Sequence, residues 1–570
     1  MGGIFMKRKQ LLATLLTVIL ATSFLGGCGK RSSDTSSSAL TESTTQTTAE
    51  STTQTTPDTT SGTDSNSSEP ELLRGNIYTS GEQILKEKKT YNVAVVKDPN
   101  SQNGFNDKQC VQEANAVTNV DMQYEDIMSD NWKEKVNIML ASGDLPDVFC
   151  AGNVDIMSNL ECFVPLEDYI YKYCPHIVEM LEGDPSIKAA ITAPDGHIYS
   201  LPTNKANPSN RVDNMIWMNP DWLKQLGLEV PTTTDEFVNV LRAFKANDCN
   251  GNGKADEIPF QARQSTDYAH NLSAILGAFG VVLPSDYVYS VDGNNVVFGG
   301  TEDGLFDGLN WLHDLYAEGL LDKDTFTMTN DEQNAKAQNE DVLMGSLIYW
   351  IPDSMDTKYK DYIVLDPLKG PNGDQLWYGG KNPLGANITG FCVTTACEDP
   401  EAMVRYYDYC MKDETTILEW QWGPEGAGLF KYVDDQGHWT QTEEFVPEGT
   451  NLTYFKRTVC GSVNSPNFLW SKYAALEVAD ERNAKKREAA DRILPYCVTM
   501  MPNGLWETEP SARKAMLYTD IDSYMQKFIA TSVVDGLNEE QWQEHLSNCE
   551  KLKVEEYRQL WQDYFDSKKK

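Results

Sequence analysis

The longest apolar and small-residue run lies near the start of the chain, fifteen residues from Leu11 to Leu25, behind Lys7, Arg8 and Lys9. A run of that length is short for a bilayer span and fits the core of a secretory signal. No second run of eighteen follows, so the rest is expected to be a soluble body. Further on, the periodicity alternates. "TYNVAVV", Thr90 to Val96, is a β-branched strand pattern, and "KDPNSQNGFND" after it is a polar loop. Helical spacing begins at Lys108 and returns across Asn131 to Leu140, with Trp132, Val136, Ile138, Met139 and Leu140 as its apolar positions. A Gly-Asp-Leu-Pro break then leads into the short strand "DVFCA". From Met218 to Asp248 two helices are predicted. Asn219-Pro220-Asp221 starts the first and Gly227 stops it; Thr233 or Thr234 caps the second, with Asp235 and Glu236 in its first turn and Leu241 and Phe244 facing a core. Strand, loop and helix in alternation predict open α/β sheets whose ligand loops follow the carboxyl ends of the strands, after Val96 and after Cys150.

The apolar run ends in "LGGC", Leu25 to Cys28. This resembles the lipobox of bacterial lipoproteins, which implies a signal peptide over 1–27 and a lipid on the sulfur of Cys28. Residues 28–70 then form a tether. They are almost wholly Ser, Thr, Asp, Glu and Gln and carry the near-repeat "ESTTQTTA", "ESTTQTTP". Such a segment has no apolar face with which to offset its ordering entropy. A glycosylated stalk is the other reading of the same composition. Both place the body outside the cell, held to the membrane only by the anchor.

What remains is about 500 residues, too many for one core, so two or more domains are expected. The formal net charge of −37 argues against nucleic acid and against anionic lipid as partners. Twelve cysteines lie scattered with no C-x2-C pair, so no structural zinc pattern is present. Eleven remain after Cys28 and are expected to be mostly free, buried thiols.

"NDCNGNGKADEIPF", Asn247 to Phe260, reads as the front of an EF-hand loop. Counted from Asp248, it sets Asn250, Asn252, Lys254 and Asp256 at positions three, five, seven and nine, with Gly253 at the sharp turn. Lys254 would offer only its backbone carbonyl. Position twelve is Pro259 instead of glutamate, and Glu257 is the replacement acid. The expectation is a structural Ca²⁺ bound by Asp248, Asn250, Asn252, Lys254, Asp256 and Glu257, in a loop that runs straight into a strand. A solvated Asx-rich turn is the bland alternative.

"ASGDLPDVF", "NPDWLKQLGLEVPTTTDEF", "NGNGKADEIPF", "VLMGSLIYW" and "WGPEG" occur in that order. Together with the lipobox they resemble the extracellular solute-binding lipoproteins of ABC importers, in particular the large sugar-binding branch that includes LplA-type and alginate-binding proteins. That resemblance implies an α/β, two-lobe periplasmic-binding-protein-like fold of type II, with open α/β sheets joined by a hinge. By analogy the first lobe is 76–212 plus 388–435 and the second is 213–387 plus 436–570. It also implies an oligosaccharide ligand, permease transmembrane subunits as partners, a calcium site on the matching loop, a monomer, and a place on the outer face of the cell membrane.

Sugars need aromatic platforms and planar polar groups. Trp350, at the end of the strand-like "VLMGSLIY", is the first candidate, and relatives place a stacking tryptophan near this point. Trp422 before "GPEG", Trp377 and Tyr378 on an expected loop, and Asn103 after the first strand complete the set. Trp217, Trp222 and Trp311 read as core. No G-x-S-x-G, H-E-x-x-H or P-loop occurs, and the six histidines have no metal spacing, so no enzyme is expected. The alternatives are a peptide or other organic solute as ligand, and a surface polysaccharide hydrolase, which needs only two carboxylates.

Overall fold

The computed structural model describes residues 72–98, 101–205, 212, 214–264, 271–379, 385–450 and 452–569. Cys28, the signal segment and the tether lie outside them.

The chain first lays down β1 (Lys89–Lys97), α1 (Gln109–Thr118), β2 (Val120–Met128), α2 (Ser129–Ser142), β3 (Val148–Cys150) and β4 (Leu201–Lys205). It then builds β5 (Met215–Met218), α3 (Pro220–Leu226), α4 (Thr234–Ala246), β6 (Ile258–Gln261), α5 (Asp303–Ala317), β7 (Met344–Tyr349) and β8 (Ile363–Val364). It returns through β9 (Ala386–Val393), α6 (Pro400–Cys410), α7 (Glu414–Trp422), α8 (Leu452–Val459) and β10 (Phe468–Leu469). Four helices close the chain: α9 (Glu481–Ile493), α10 (Thr508–Asp535), α11 (Glu539–Lys551) and α12 (Val554–Ser567).

Two main sheets result. The first runs β10-β4-β9-β3-β1-β2 and the second β8-β5-β7-β6. In the first, β1 pairs parallel with both β2 and β3, while β9 runs antiparallel to β3 and β4. In the second, β7 is parallel to β6 and antiparallel to β5. The pleat of β1 explains why its sequence is nearly all apolar at the centre. Tyr91, Val93 and Val95 enter the core on one face of the first sheet, and Ala94 enters the core on the other.

Local signals fix the helix ends that position the loops. Asn219 Oδ1 accepts from the backbone N–H of Asp221 and Trp222, Pro220 opens α3, and Gly227 closes it at φ 66°. Thr233 caps α4 in a reciprocal box with Glu236. The long α10 buries Leu517, Ile521, Met525, Ile529 and Val533, one residue per turn, against the second core.

The expected switch to the second lobe at 436 needs correction. Trp439 is in the first core, and β10 pairs parallel with β4 in the first sheet. Ala474 still belongs to the first core, and Ala489 is the next buried residue in the second, so the chain passes to the second lobe between them. The reason is register: the short strand at 468–469 fills the edge of β4, a pairing with no local signature.

Eleven cysteines lie among the described residues and all are free; ten are buried and Cys497 is half-buried. Burial pushes the thiols up, Cys110 to about 12, so they behave as small apolar side chains.

Candidate functional site

Parallel pairing puts the carboxyl ends of β1, β2 and β3 on one edge of the first sheet, the edge where open α/β sheets bind ligands. A recess sits there, lined by Lys97, Asp98, Asn103, Asp126, Arg457 and Asn464 among others. Lys97 Nζ pairs with Asp126 at 3.1 Å, and Arg457 Nη2 pairs with Asp98 at 3.0 Å. Asn103 Nδ2 donates to the carbonyl of Thr458 at 3.1 Å, and Asn464 Nδ2 donates to that of Val96 at 2.8 Å. Lys108 is almost fully buried and donates to the Arg457 carbonyl; burial lowers its pKa. Asn103 lies in the loop after β1 and lines this recess. Arg457 joins the recess from α8, and a lone arginine late in the chain carries no sequence signal for that placement.

Trp350 follows β7 at the carboxyl end of the second sheet and is half-buried. Lys486 Nζ lies 4.9 Å from its ring centroid and Arg482 Cζ 5.7 Å, both from α9. Arg482 is held by Asp353 at 3.0 Å. Two cations of α9 thus lie within cation–π range of the indole.

The other aromatic candidates are corrected. Trp422 is 4% exposed, with Lys456 Nζ 3.5 Å over its ring and Trp439 packed at 6.1 Å, so it is core of the first lobe. Trp377 and Tyr378 do not lie on a loop. They form a short strand paired parallel with Cys497–Val498, and both are buried. The Trp377 indole donates to the Asn214 carbonyl at 2.9 Å, and the Asn214 amide donates to Tyr378 Oη. None of the three offers a free face to a ligand.

The loop after α4 is a tight turn held by its own side chains. Gly251 and Gly253 adopt φ of 74° and 78°, which a side chain would resist. Asp248 accepts from the N–H of Asn252 at 3.1 Å and of Gly253 at 2.9 Å, and Asn252 Oδ1 accepts from Lys254 N at 2.8 Å. Glu257 Oε1 accepts from Cys249 N at 2.8 Å. The amides of Asn250 and Asn252 both donate to Asp256, which lowers its pKa. The Lys254 side chain is 67% exposed and its Nζ lies 3.7 Å from Asp341 Oδ2, which leaves its carbonyl as the group it could offer a cation. A further acid arrives from outside the motif: Asp341 Oδ2 accepts from Asn252 Nδ2 at 2.8 Å. Among the described residues no three acidic, histidine or cysteine side chains converge into a metal cage. The donor set is nonetheless all oxygen, which fits a hard cation. The same two carboxamides that now donate would offer oxygen after a half-turn.

The model of the bacterial extracellular solute-binding proteins matches residues 98–416, more than half of the chain. The fructooligosaccharide ABC transporter substrate-binding protein FusA of Streptococcus pneumoniae is 29% identical over 499 residues, 85% of this chain and 91% of FusA. A solved structure of FusA in complex with kestose is 26% identical with a TM-score of 0.74, covering 84% of this chain and 99% of FusA. The alginate-binding protein AlgQ2, solved without calcium ion, is 19% identical with a TM-score of 0.66 over 85% of this chain and 99% of its own, and shares the fold. The two lobes are those of a type II solute-binding protein, a carrier and not an enzyme, and the chain belongs to the bacterial extracellular solute-binding proteins.

Proposed function

We propose that this chain is the lipid-anchored substrate-binding protein of an ABC importer and that its ligand is an oligosaccharide. The single observation that carries the reading is the likeness to FusA, a fructooligosaccharide-binding protein, over 85% of this chain. The geometry agrees with it: a half-buried tryptophan ends one sheet and an amide-and-guanidinium recess ends the other. Apolar sugar faces stack on the first and hydroxyls bond to the second. In this reading Trp350 and Asn103 belong to ligand recognition from opposite lobes. The sugar bridges them, stabilises the closed form, and that form docks as a monomer on the permease. Cys28 carries the lipid, so the body works on the outer face of the cell membrane.

The loop is proposed to hold a structural Ca²⁺ through Asp248, Asn250, Asn252, Asp256, Glu257 and the carbonyl of Lys254. A FusA EF-hand mutant has been solved, and so has AlgQ2 without calcium ion, which supports a calcium loop in this group of proteins. When bound, the ion supplies charge to tie α4 to β6, and no chemistry of the ligand passes through it.

Incubation of the full-length chain with a panel of oligosaccharides tests the reading. Binding with a raised melting temperature and intact sugar is the expected result. Released reducing ends would point to a hydrolase instead, and binding of peptides alone would point to a peptide carrier.

A further inference from the structure

We propose that Tyr454 is an aromatic platform for the ligand on the first lobe, the counterpart of Trp350 on the second. The proposal rests on the reading of the chain as an oligosaccharide carrier and names the residue by which the first lobe grips the apolar face of a sugar ring.

Trp422, the sequence's candidate platform on this side, is core and lies under Lys456. Among the described residues three Phe, Tyr or Trp side chains are exposed: Tyr171, Phe445 and Tyr454. Tyr171 lies on the short helix Glu167–Tyr173, with Lys188 Nζ 5.4 Å from its ring centroid, and Phe445 follows the short strand Trp439–Gln441. Neither element lines the recess at the carboxyl edge of the first sheet. Tyr454 lies on α8, which does. A single exposed ring needs no explanation by itself, so its position is what singles out Tyr454.

The apolar pattern of α8 sets which face Tyr454 occupies. Leu452 and Phe455, one turn apart, pack against the first core. Tyr454 and Arg457, also one turn apart, share another face. On that face Arg457 lines the recess, with Nη2 3.0 Å from Asp98 in the loop after β1, and the Tyr454 side chain is 41% exposed. The backbone of the same turn is tied to that loop: Ser101 Oγ and Lys108 Nζ donate to the Arg457 carbonyl, and Asn103 Nδ2 donates to that of Thr458. Tyr454 is therefore carried by a turn anchored at the ligand edge, and its ring is open to solvent on the face that meets the loop of Asp98 and the exposed Gln102.

A sugar ring has C–H groups on its faces and hydroxyls around its rim. Gripping it takes an aromatic face that is accessible in the free carrier, with planar polar groups at the same edge. Tyr454 supplies the first, and Asp98 and Gln102 supply the second from the neighbouring loop. A tyrosine ring is stiff, so little conformational entropy is lost when a sugar stacks on it.

Calorimetric titration of the full-length chain with kestose, maltotriose, mannotriose and trigalacturonate tests this. Tyr454→Ala and Tyr454→Gln are each expected to weaken the tightest-binding of these sugars by about threefold to tenfold, with ligand-free melting close to wild type because the side chain is exposed. Tyr454→Phe and Tyr454→Trp keep a stacking face and are expected to restore binding to within about twofold of wild type. Tyr171→Ala, which removes an exposed ring elsewhere on the first lobe, is expected to bind as wild type does. Truncations that bind as tightly as wild type overturn the proposal and leave the oligosaccharide reading intact. So does a loss of binding that Tyr454→Phe and Tyr454→Trp share with the truncations. If none of the four sugars binds the wild type, that reading falls and the platform falls with it. Should one truncation melt early, the other decides against the two ring-keeping variants.

Discussion

Leu505 and Trp506 are consecutive residues that belong to different hydrophobic cores. Leu505, 7% exposed, packs with Trp132, Val154 and Met157 of the first lobe. Trp506, 8% exposed, packs with Trp561 and Tyr564 of the second, with its ring stacked on Tyr564 at 4.1 Å. Two residues on, Thr508 Oγ1 donates to the Met157 carbonyl at 2.9 Å. The segment before α10 is therefore a strap from the second lobe to the loop that follows β3. Leu505→Ala is expected to destabilise the chain by about 2–4 kcal/mol in urea unfolding. It should also enlarge the ligand-free radius of gyration in solution scattering. A variant with unchanged dimensions would mean the strap does not hold the lobes.

Lys514 sits beside this strap, 4.2 Å from the Trp506 ring and 4.7 Å from that of Trp561, with Asp286 and Asp155 as the acids that act on its charge. Burial lowers its pKa from 10.5 to about 8, against the partial opposition of those two acids. Between these values the unfolded chain binds a proton that the folded chain does not, so stability rises as pH rises from 8 to 10.5. Lys514→Met is expected to remove that rise, which solvent screening limits to about 1–2 kcal/mol. Chemical unfolding at pH 7.5 and pH 10 reads it, and an equal slope in the variant would refute the assignment.

Chelation should lower the melting temperature by several degrees, and Asp248→Ala should abolish the difference between calcium and chelator. Asp341→Asn keeps the bond to the loop's reach but removes a charge. It is expected to weaken calcium binding less than Asp248→Ala does, as read by direct metal titration. An unchanged melting curve with chelator, and no metal found by elemental analysis, would leave the segment as a turn.

The aromatic pair Trp350 and Trp422 should behave oppositely. Trp350→Ala is expected to weaken sugar binding about tenfold or more with a modest change in stability. Trp422→Ala removes a core indole under Lys456 and should cost about 3–5 kcal/mol of stability. Reversal of the two effects would exchange their roles.

What the sequence made legible was local. The cap at Thr233, the stop at Gly227, the β1 pattern and the turn at Gly253 are each written in a few adjacent residues, and the structure follows them. What it hid was long-range. "GDQLWYGG" has every sign of a loop, yet Trp377 and Tyr378 find a strand partner at Cys497–Val498. Trp422 precedes a Gly-Pro turn, but burial there is decided by Lys456 and Trp439. Asp341 reaches the 250–257 loop from 89 residues beyond Asn252. Arg457 enters the first-strand recess only once α8 has packed, so its place beside Asn103 is a property of the fold alone.

Capture by closure between the two sheets is tested most directly by solution scattering of the full-length chain with and without an oligosaccharide that binds it. The expected result is a saturable fall in the radius of gyration that follows the binding curve, with the sugar recovered intact. Saturable binding with no change in dimensions, or sugar returned as shorter products, would contradict it.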